Sequence, residues 1–158
     1  HELGHKTNAT DRFSAKVINA LIGYGHFCIE HNRGHHVWVS TPEDPASSRM
    51  GESIYTFSRR ELPGAFKRGW DHERLRLEKK GKSVWSIEND VLQGYAITIV
   101  IAAAVIALFG LKRLPFLVIH HFTGWYGLTQ ANYVEHYGLL RQKLANGRYE
   151  PVQPRHSW

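Results

Sequence analysis

A long run without any charged residue is the feature that most constrains how this chain can fold. Residues 91–111 contain no Asp, Glu, Lys or Arg, and residues 94–111 (GYAITIVIAAAVIALFGL) are almost wholly aliphatic. Because an α-helix rises about 1.5 Å per residue, about 20 residues are enough to cross the hydrocarbon core of a bilayer. The run therefore predicts a transmembrane helix.

A second uncharged stretch covers residues 114–134 and contains His120 and His121. Only a short basic tip separates it from the first stretch, so the two together predict a transmembrane helical hairpin. Eleven Lys or Arg residues lie between positions 33 and 82, against two at the tip of the hairpin. Since basic residues concentrate on the cytoplasmic side of a membrane, we predict that residues 31–90 form a cytoplasmic region.

Residues 13–29 are apolar, but they include polar side chains and two glycines, Gly23 and Gly25. This composition favours an amphipathic helix at the membrane interface that bends at the glycines. Farther along, Pro and Gly predict turns at residues 41–45 and 62–64, and a charged helix is expected over residues 64–82.

Composition excludes some classes of site. The net charge of +6 does not indicate nucleic-acid binding, because the basic residues are not interleaved with stacking aromatics. Cys28 is the single cysteine, so neither an intrachain disulfide nor a thiolate metal cluster can form. Any metal must be held by histidine or carboxylate.

Histidines occur in groups with ligand spacing. His1 and His5 are four residues apart, as are His31 and His35, and a helix would place each pair on one face. The adjacent His36 can then turn to a neighbouring ion. Either pair alone is more often a surface or core feature, but two such groups beside membrane segments favour a metal site.

A third group follows the hairpin, where His136 lies in the segment NYVEHYG. It is expected on the same side of the membrane as the other histidines. Glu2, Glu30 and Glu135 stand beside or near these residues, and each is a candidate either to hold an imidazole N–H or to be an ordinary surface acid. The remaining histidines have no partner at useful spacing, so core or surface roles are expected for them.

Six imidazoles exceed the roughly four ligands that saturate one zinc ion, so two metal ions are expected, and iron is the economical choice. A competing motif is present, because residues 1–5 (HELGH) match the H-E-x-x-H of zinc peptidases, in which Glu2 would act as general base. That alternative leaves the second histidine group unexplained.

Four long motifs carry a resemblance: HELGHK at residues 1–6, EHNRGHHV at 30–37, STPEDPA at 40–46 and NYVEHYGLLR at 132–141. Together they resemble the alkane 1-monooxygenases, and the similarity runs nearly end to end. The resemblance implies an all-α integral membrane helical bundle, similar to the fatty-acid desaturases, capped on the cytoplasmic side by histidine boxes. It assigns the metal ligands as His1, His5, His31, His35, His36 and His136.

The resemblance also implies two non-haem iron ions, O₂-dependent terminal hydroxylation of medium-chain n-alkanes to primary alcohols, and a multi-pass protein of the bacterial inner membrane. Electrons would come from rubredoxin, reduced by rubredoxin reductase and NADH. Xylene monooxygenases and fatty-acid desaturases share the histidine-box plan and remain alternatives.

Residues 155–158 (RHSW) resemble the sequence that precedes a final H-x-x-H-H box. We therefore expect residues 1–158 to form a single catalytic membrane domain that is truncated at both ends and is inactive alone.

Overall fold

The computed structural model describes residues 2–6 and 8–158, and helices are its only regular elements apart from one isolated bridge between Lys143 and Tyr149. This agrees with the predicted all-α class. The α-helices are, in chain order, α1 (Ala9–Leu21), α2 (Phe27–Glu30), α3 (His36–Trp38), α4 (Ile54–Glu78), α5 (Asp90–Phe109) and α6 (Leu114–Glu135). Short 3₁₀ turns cover Glu2–His5, Leu111–Arg113 and Pro154–His156, and a π-helical turn over His31–His35 joins α2 to α3.

Helix α5 is the predicted apolar helix, with boundaries close to those expected. Asn89 caps its first turn by accepting hydrogen bonds from the backbone N–H groups of Val91 and Leu92, at 2.9 and 3.2 Å. Gly110, at φ +82°, ends it. Among the described residues, α5 is the one helix that is both long and apolar enough to cross a membrane.

Helix α6 follows α5 after the turn at Leu111–Arg113, and the transmembrane hairpin stays a prediction. The two helices pack against different partners. Helix α5 packs mainly against α1, and α6 packs against α4. Polar side chains such as His120, His121 and Asn132 reduce the hydropathy of α6, which does not meet the criteria for a membrane span. A second crossing at residues 114–134 therefore stays a prediction.

The chain bends after α1, as the glycines predicted. Gly23 adopts φ +67° in the turn, and a Cβ on Gly25 would lie 2.9 Å from the backbone of Gly94 in α5. On the other side of the turn, a Cβ on Gly124 of α6 would lie 2.7 Å from Ile22. The turn is thus wedged between α5 and α6, and glycine permits both close approaches.

The predicted turn at residues 62–64 and the predicted helix start at Gly64 were wrong. Helix α4 runs without interruption from Ile54, after the N-cap Ser53, and Pro63 lies inside it. A proline removes one hydrogen bond, here to the carbonyl of Arg59, but both residues are exposed and water can replace the lost donor. Buried contacts on either side of Pro63 outweigh the local preference for a turn.

One of those contacts joins α4 to α6. The carboxylate of Glu61, which is fully buried, accepts hydrogen bonds from Thr129 at 2.8 Å and Asn132 at 3.2 Å. Burial raises the pKa of Glu61, against the opposing effect of these two hydrogen bonds. Helix α6 is thereby fixed one turn before His136.

Candidate metal centre

Five histidines from separate parts of the chain meet at one end of the helices. The short turn before α1 brings His5, the π-helical turn and α3 bring the second group, and the end of α6 brings a fifth imidazole. The rings of His5 and His31 lie 5.3 Å apart between centroids. The bend after α1 therefore brings these two histidines close enough to belong to one site. The five are His5, His31, His35, His36 and His136. His1 lies outside the described residues, so its place in the group remains a prediction.

The π-helical turn changes how the second histidine group divides. A π turn pairs residue i with residue i+5, and the backbone N–H of His36 donates to the carbonyl of His31 in this way. The Nε2 atoms of His31 and His36 consequently lie 3.0 Å apart, and His5 joins them with ligand atoms all within 4.8 Å of one another. The expectation from α-helical spacing, in which His31 and His35 share one ion and His36 turns away, differs from this arrangement.

His35 instead faces His136, with 3.1 Å between their Nε2 atoms. The Nδ1 of His35 lies 2.9 Å from the Asp44 carboxylate, and the Nδ1 of His136 lies 3.2 Å from the backbone carbonyl of His156. Both partners accept hydrogen bonds, so in the neutral form of each ring the proton is on Nδ1 and Nε2 presents a lone pair. Two such rings facing at this distance favour a cation between or beside the two Nε2 atoms.

The donor set therefore fits a bound metal. Imidazole nitrogens bind transition metals at about 2.1 Å, and two ligands of one ion can be about 3 Å apart. Burial, followed by His35 and His36, lowers the pKa of His31 from 6.5 to about 3. Burial and the neighbouring His35 also lower the pKa of His36 and of His136. Uncharged imidazoles at neutral pH are the form that a metal requires.

Two of the carboxylates proposed to hold an imidazole, Glu30 and Glu135, bind other partners in the part of the chain that the structure describes. Glu30 is buried and binds the guanidinium of Arg68 through Oε1, and Glu135 accepts from the Ser157 hydroxyl at 3.1 Å. The side chain of Glu2 lies outside the described residues. The charge of Glu135 nevertheless acts on His36, whose pKa it raises against the larger lowering effects.

Sequence reasoning missed Asp44, which is the carboxylate that contacts a candidate ligand. It lies nine residues after His35, in a turn, so no helical spacing pointed to it. The available signal was the segment at residues 40–46, in which two prolines bracket one acidic pair.

Two of the histidines outside the group, His26 and His156, are buried and have polar partners. His26 is buried and its Nδ1 lies 2.9 Å from the Tyr95 hydroxyl. His156 is buried beside Glu150, and its contribution to the site is its backbone carbonyl, which accepts from His136. The other three histidines outside the candidate metal centre are His72, His120 and His121.

The sequence is similar to those of known oxygenases. The chain is 62% identical over 158 residues to alkane 1-monooxygenase 1 of Alcanivorax borkumensis and 59% identical to alkane 1-monooxygenase of Pseudomonas putida. It is 28% identical to the hydroxylase component of xylene/toluene monooxygenase of Pseudomonas putida. All of this chain is covered in each case, and it spans about two fifths of the length of the first two relatives, 39%.

The profile of the fatty acid desaturase family matches residues 1–158, which is the whole sequence given. A match of this extent covers every helix and all the candidate ligands. This chain therefore belongs to the fatty acid desaturase family.

Proposed function

We propose that this chain is the metal-binding part of a membrane-bound alkane 1-monooxygenase. The observation that carries the proposal is the approach of the Nε2 atoms of His35 and His136 to 3.1 Å, in a chain 62% identical to a relative named for this activity. The reaction would insert one oxygen atom of O₂ into a terminal C–H bond of a medium-chain n-alkane. The products are the primary alcohol and water, and two electrons and two protons are consumed.

The proposed ligands are His1, His5, His31, His35, His36 and His136. Two iron ions held by them would supply reductive activation of O₂. Burial lowers the pKa of His31, His36 and His136, which favours their neutral form, and Asp44 and the His156 carbonyl orient His35 and His136. Rubredoxin, with rubredoxin reductase and NADH upstream, would deliver the electrons.

The proposed setting is the bacterial inner membrane, with the histidines on the cytoplasmic side and two spans at residues 91–111 and 114–134. The apolar face of α5 supports it, since Ile99, Val100 and Leu108 are well exposed. An apolar substrate would reach the histidines from the bilayer, along the helices that carry them. We propose residues 1–158 as one catalytic domain, with further ligands supplied by sequence outside it.

Xylene monooxygenase or fatty-acid desaturase activity is the second candidate, because both share the histidine boxes. Identity favours the alkane enzyme, 62% against 28%. A zinc peptidase is disfavoured by the family match and because His5 contacts His31 and His36, which the peptidase motif does not use.

The test uses a chimera in which these 158 residues replace the matching segment of the Alcanivorax borkumensis relative. Membranes containing the iron-loaded chimera, rubredoxin, rubredoxin reductase and NADH are given ¹⁸O₂ with octane or with xylene. We expect 1-octanol carrying ¹⁸O and little oxidised xylene. Oxidation of xylene but not octane would favour the second candidate, and peptide cleavage with zinc would favour the peptidase.

A further inference from the structure

The segment that follows the second histidine group is polar, yet the structure buries it. Ser40, Thr41 and Asp44 are each at most 2% exposed. Burying polar groups is costly unless hydrogen bonds compensate, so such a segment needs a reason to be inside. The centre of the segment is Asp44, whose contact with His35 joins the segment to the proposed metal site.

Both oxygens of Asp44 are saturated by donors. Oδ2 lies 2.9 Å from His35 Nδ1 and accepts from the Ser47 hydroxyl at 2.6 Å. Oδ1 accepts from Arg68 Nη2 at 2.7 Å and from the backbone N–H of Ala46 at 3.2 Å. Four donors from different directions leave the carboxylate one orientation, and one of the four is the candidate ligand.

Arg68 ties this carboxylate to helix α4. Its guanidinium donates to Asp44 and, through Nε at 2.8 Å, to Glu30, the residue before His31. A Cβ on Gly34 would lie 2.4 Å from the same Nε, so the glycine between the histidines admits the arginine. The π-helical turn and the polar segment are therefore joined by one half-buried cation.

We propose that Asp44, held by Arg68, is a positioning residue that fixes the ring of His35 so that Nε2 faces His136 and the metal. This inference rests on the proposed function, because it concerns the same metal site. An imidazole bound at one nitrogen commonly donates its other N–H to a carboxylate, which sets the tautomer and strengthens the ligand. Both oxygens of Asp44 are occupied by donors, so it acts through His35 rather than as a ligand.

A merely structural Asp44 would have different consequences. Its loss would reduce the amount of folded protein, while the protein that did fold would bind metal with unchanged affinity. A positioning residue predicts weaker metal binding by the folded protein itself. Affinity measured on monodisperse chimera separates the two roles without reference to hydroxylation.

The experiment compares the chimera with its D44N and E43Q variants in detergent. Glu43 is the adjacent carboxylate, exposed and hydrogen-bonded to the Tyr149 hydroxyl, so E43Q removes the same charge without touching His35. Co²⁺ affinity is measured by competition with a chelator. We expect D44N to weaken binding about 10- to 100-fold and E43Q to leave it unchanged.

Equal affinity in D44N and the parent chimera would overturn the inference while leaving the proposed function intact. A parent chimera that binds no Co²⁺ or Fe²⁺ would instead count against the proposed function. If D44N does not fold, S47A removes one hydrogen bond to the same oxygen, and a smaller loss of affinity is expected. Unchanged affinity in S47A would then contradict the role.

Discussion

The Nε2 atoms of His35 and His136 lie 3.1 Å apart although 101 residues separate the two histidines in the chain. The Nδ1 of each imidazole is held by an acceptor, Asp44 for one and a backbone carbonyl for the other, so two neutral rings would present lone pairs that repel at this contact. A cation resolves this repulsion, and the same geometry makes the site sensitive to loss of either ring.

Substituting His35 by Ala in the chimera is expected to abolish both iron retention and alkane hydroxylation, because the change removes a ligand and leaves His136 unopposed. Iron per polypeptide after gel filtration and 1-octanol formation are the measurements. His72→Ala is the matched control, since His72 lies on α4 outside the group, and it should retain both properties. Retained iron and activity in His35→Ala would refute the ligand assignment.

Metal removal should lower the stability of the folded chimera. A ligand that binds only the native state stabilises it by about 2.7 kcal/mol when present at 100 times its dissociation constant. We therefore expect Fe²⁺ to raise the unfolding temperature under anaerobic conditions and a chelator to reverse the shift. His136→Ala should lose most of the shift. An identical Fe²⁺ response in that variant would contradict a role for His136 in metal binding.

Gly25→Ala should destabilise the protein, because its Cβ would lie 2.9 Å from the backbone of α5 and that backbone cannot move aside cheaply. Overpacking of this kind costs about 1–3 kcal/mol. Gly127→Ala on α6 is the control, since a Cβ there meets nothing within 4 Å. Thermal unfolding in detergent measures both variants. Similar unfolding temperatures for the two variants would show that the turn containing Gly25 is not tightly packed against α5.

Glu61 gives the stability a pH dependence with a defined sign. Burial raises its pKa above 4.5 in the folded state, so its favourable contribution is fully present below that pH and is lost as pH rises through the folded value. The stability of the parent relative to Glu61→Gln should therefore fall as pH rises above about 4.5 and through the folded pKa of Glu61.

The measurement is the difference in unfolding temperature between parent and variant across that range. Glu78→Gln, at an exposed carboxylate on the same helix, corrects for a change in surface charge. A parent that gains stability over Glu61→Gln as pH rises would show that Glu61 is stabilised as the charged form.

Much of the fold followed from local sequence. The charge-free run predicted α5 within two residues, and the glycines after α1 predicted the bend, since both depend on composition over a short window. The turn predicted from Pro63 was wrong because tertiary contacts, such as that of Glu61 with α6, keep α4 helical on both sides of the proline. Local preference is weak against packing of that kind.

The histidine spacing predicted which residues gather but not how they pair. An α-helical period places His31 with His35, whereas the π-helical turn brings His31 to His36 and frees His35 for His136. Helical spacing did not point to Asp44 for a similar reason, because a turn rather than a periodic element brings it to the His35 ring.

The most direct test of the central claim is the iron content of the purified parent chimera, measured by mass spectrometry, beside a variant in which His35 and His136 are both Ala. The proposed site predicts two irons per parent chain and a marked loss in the double variant. A parent chimera that is folded, exposed to Fe²⁺ and free of iron, or a double variant with undiminished iron, would contradict the claim.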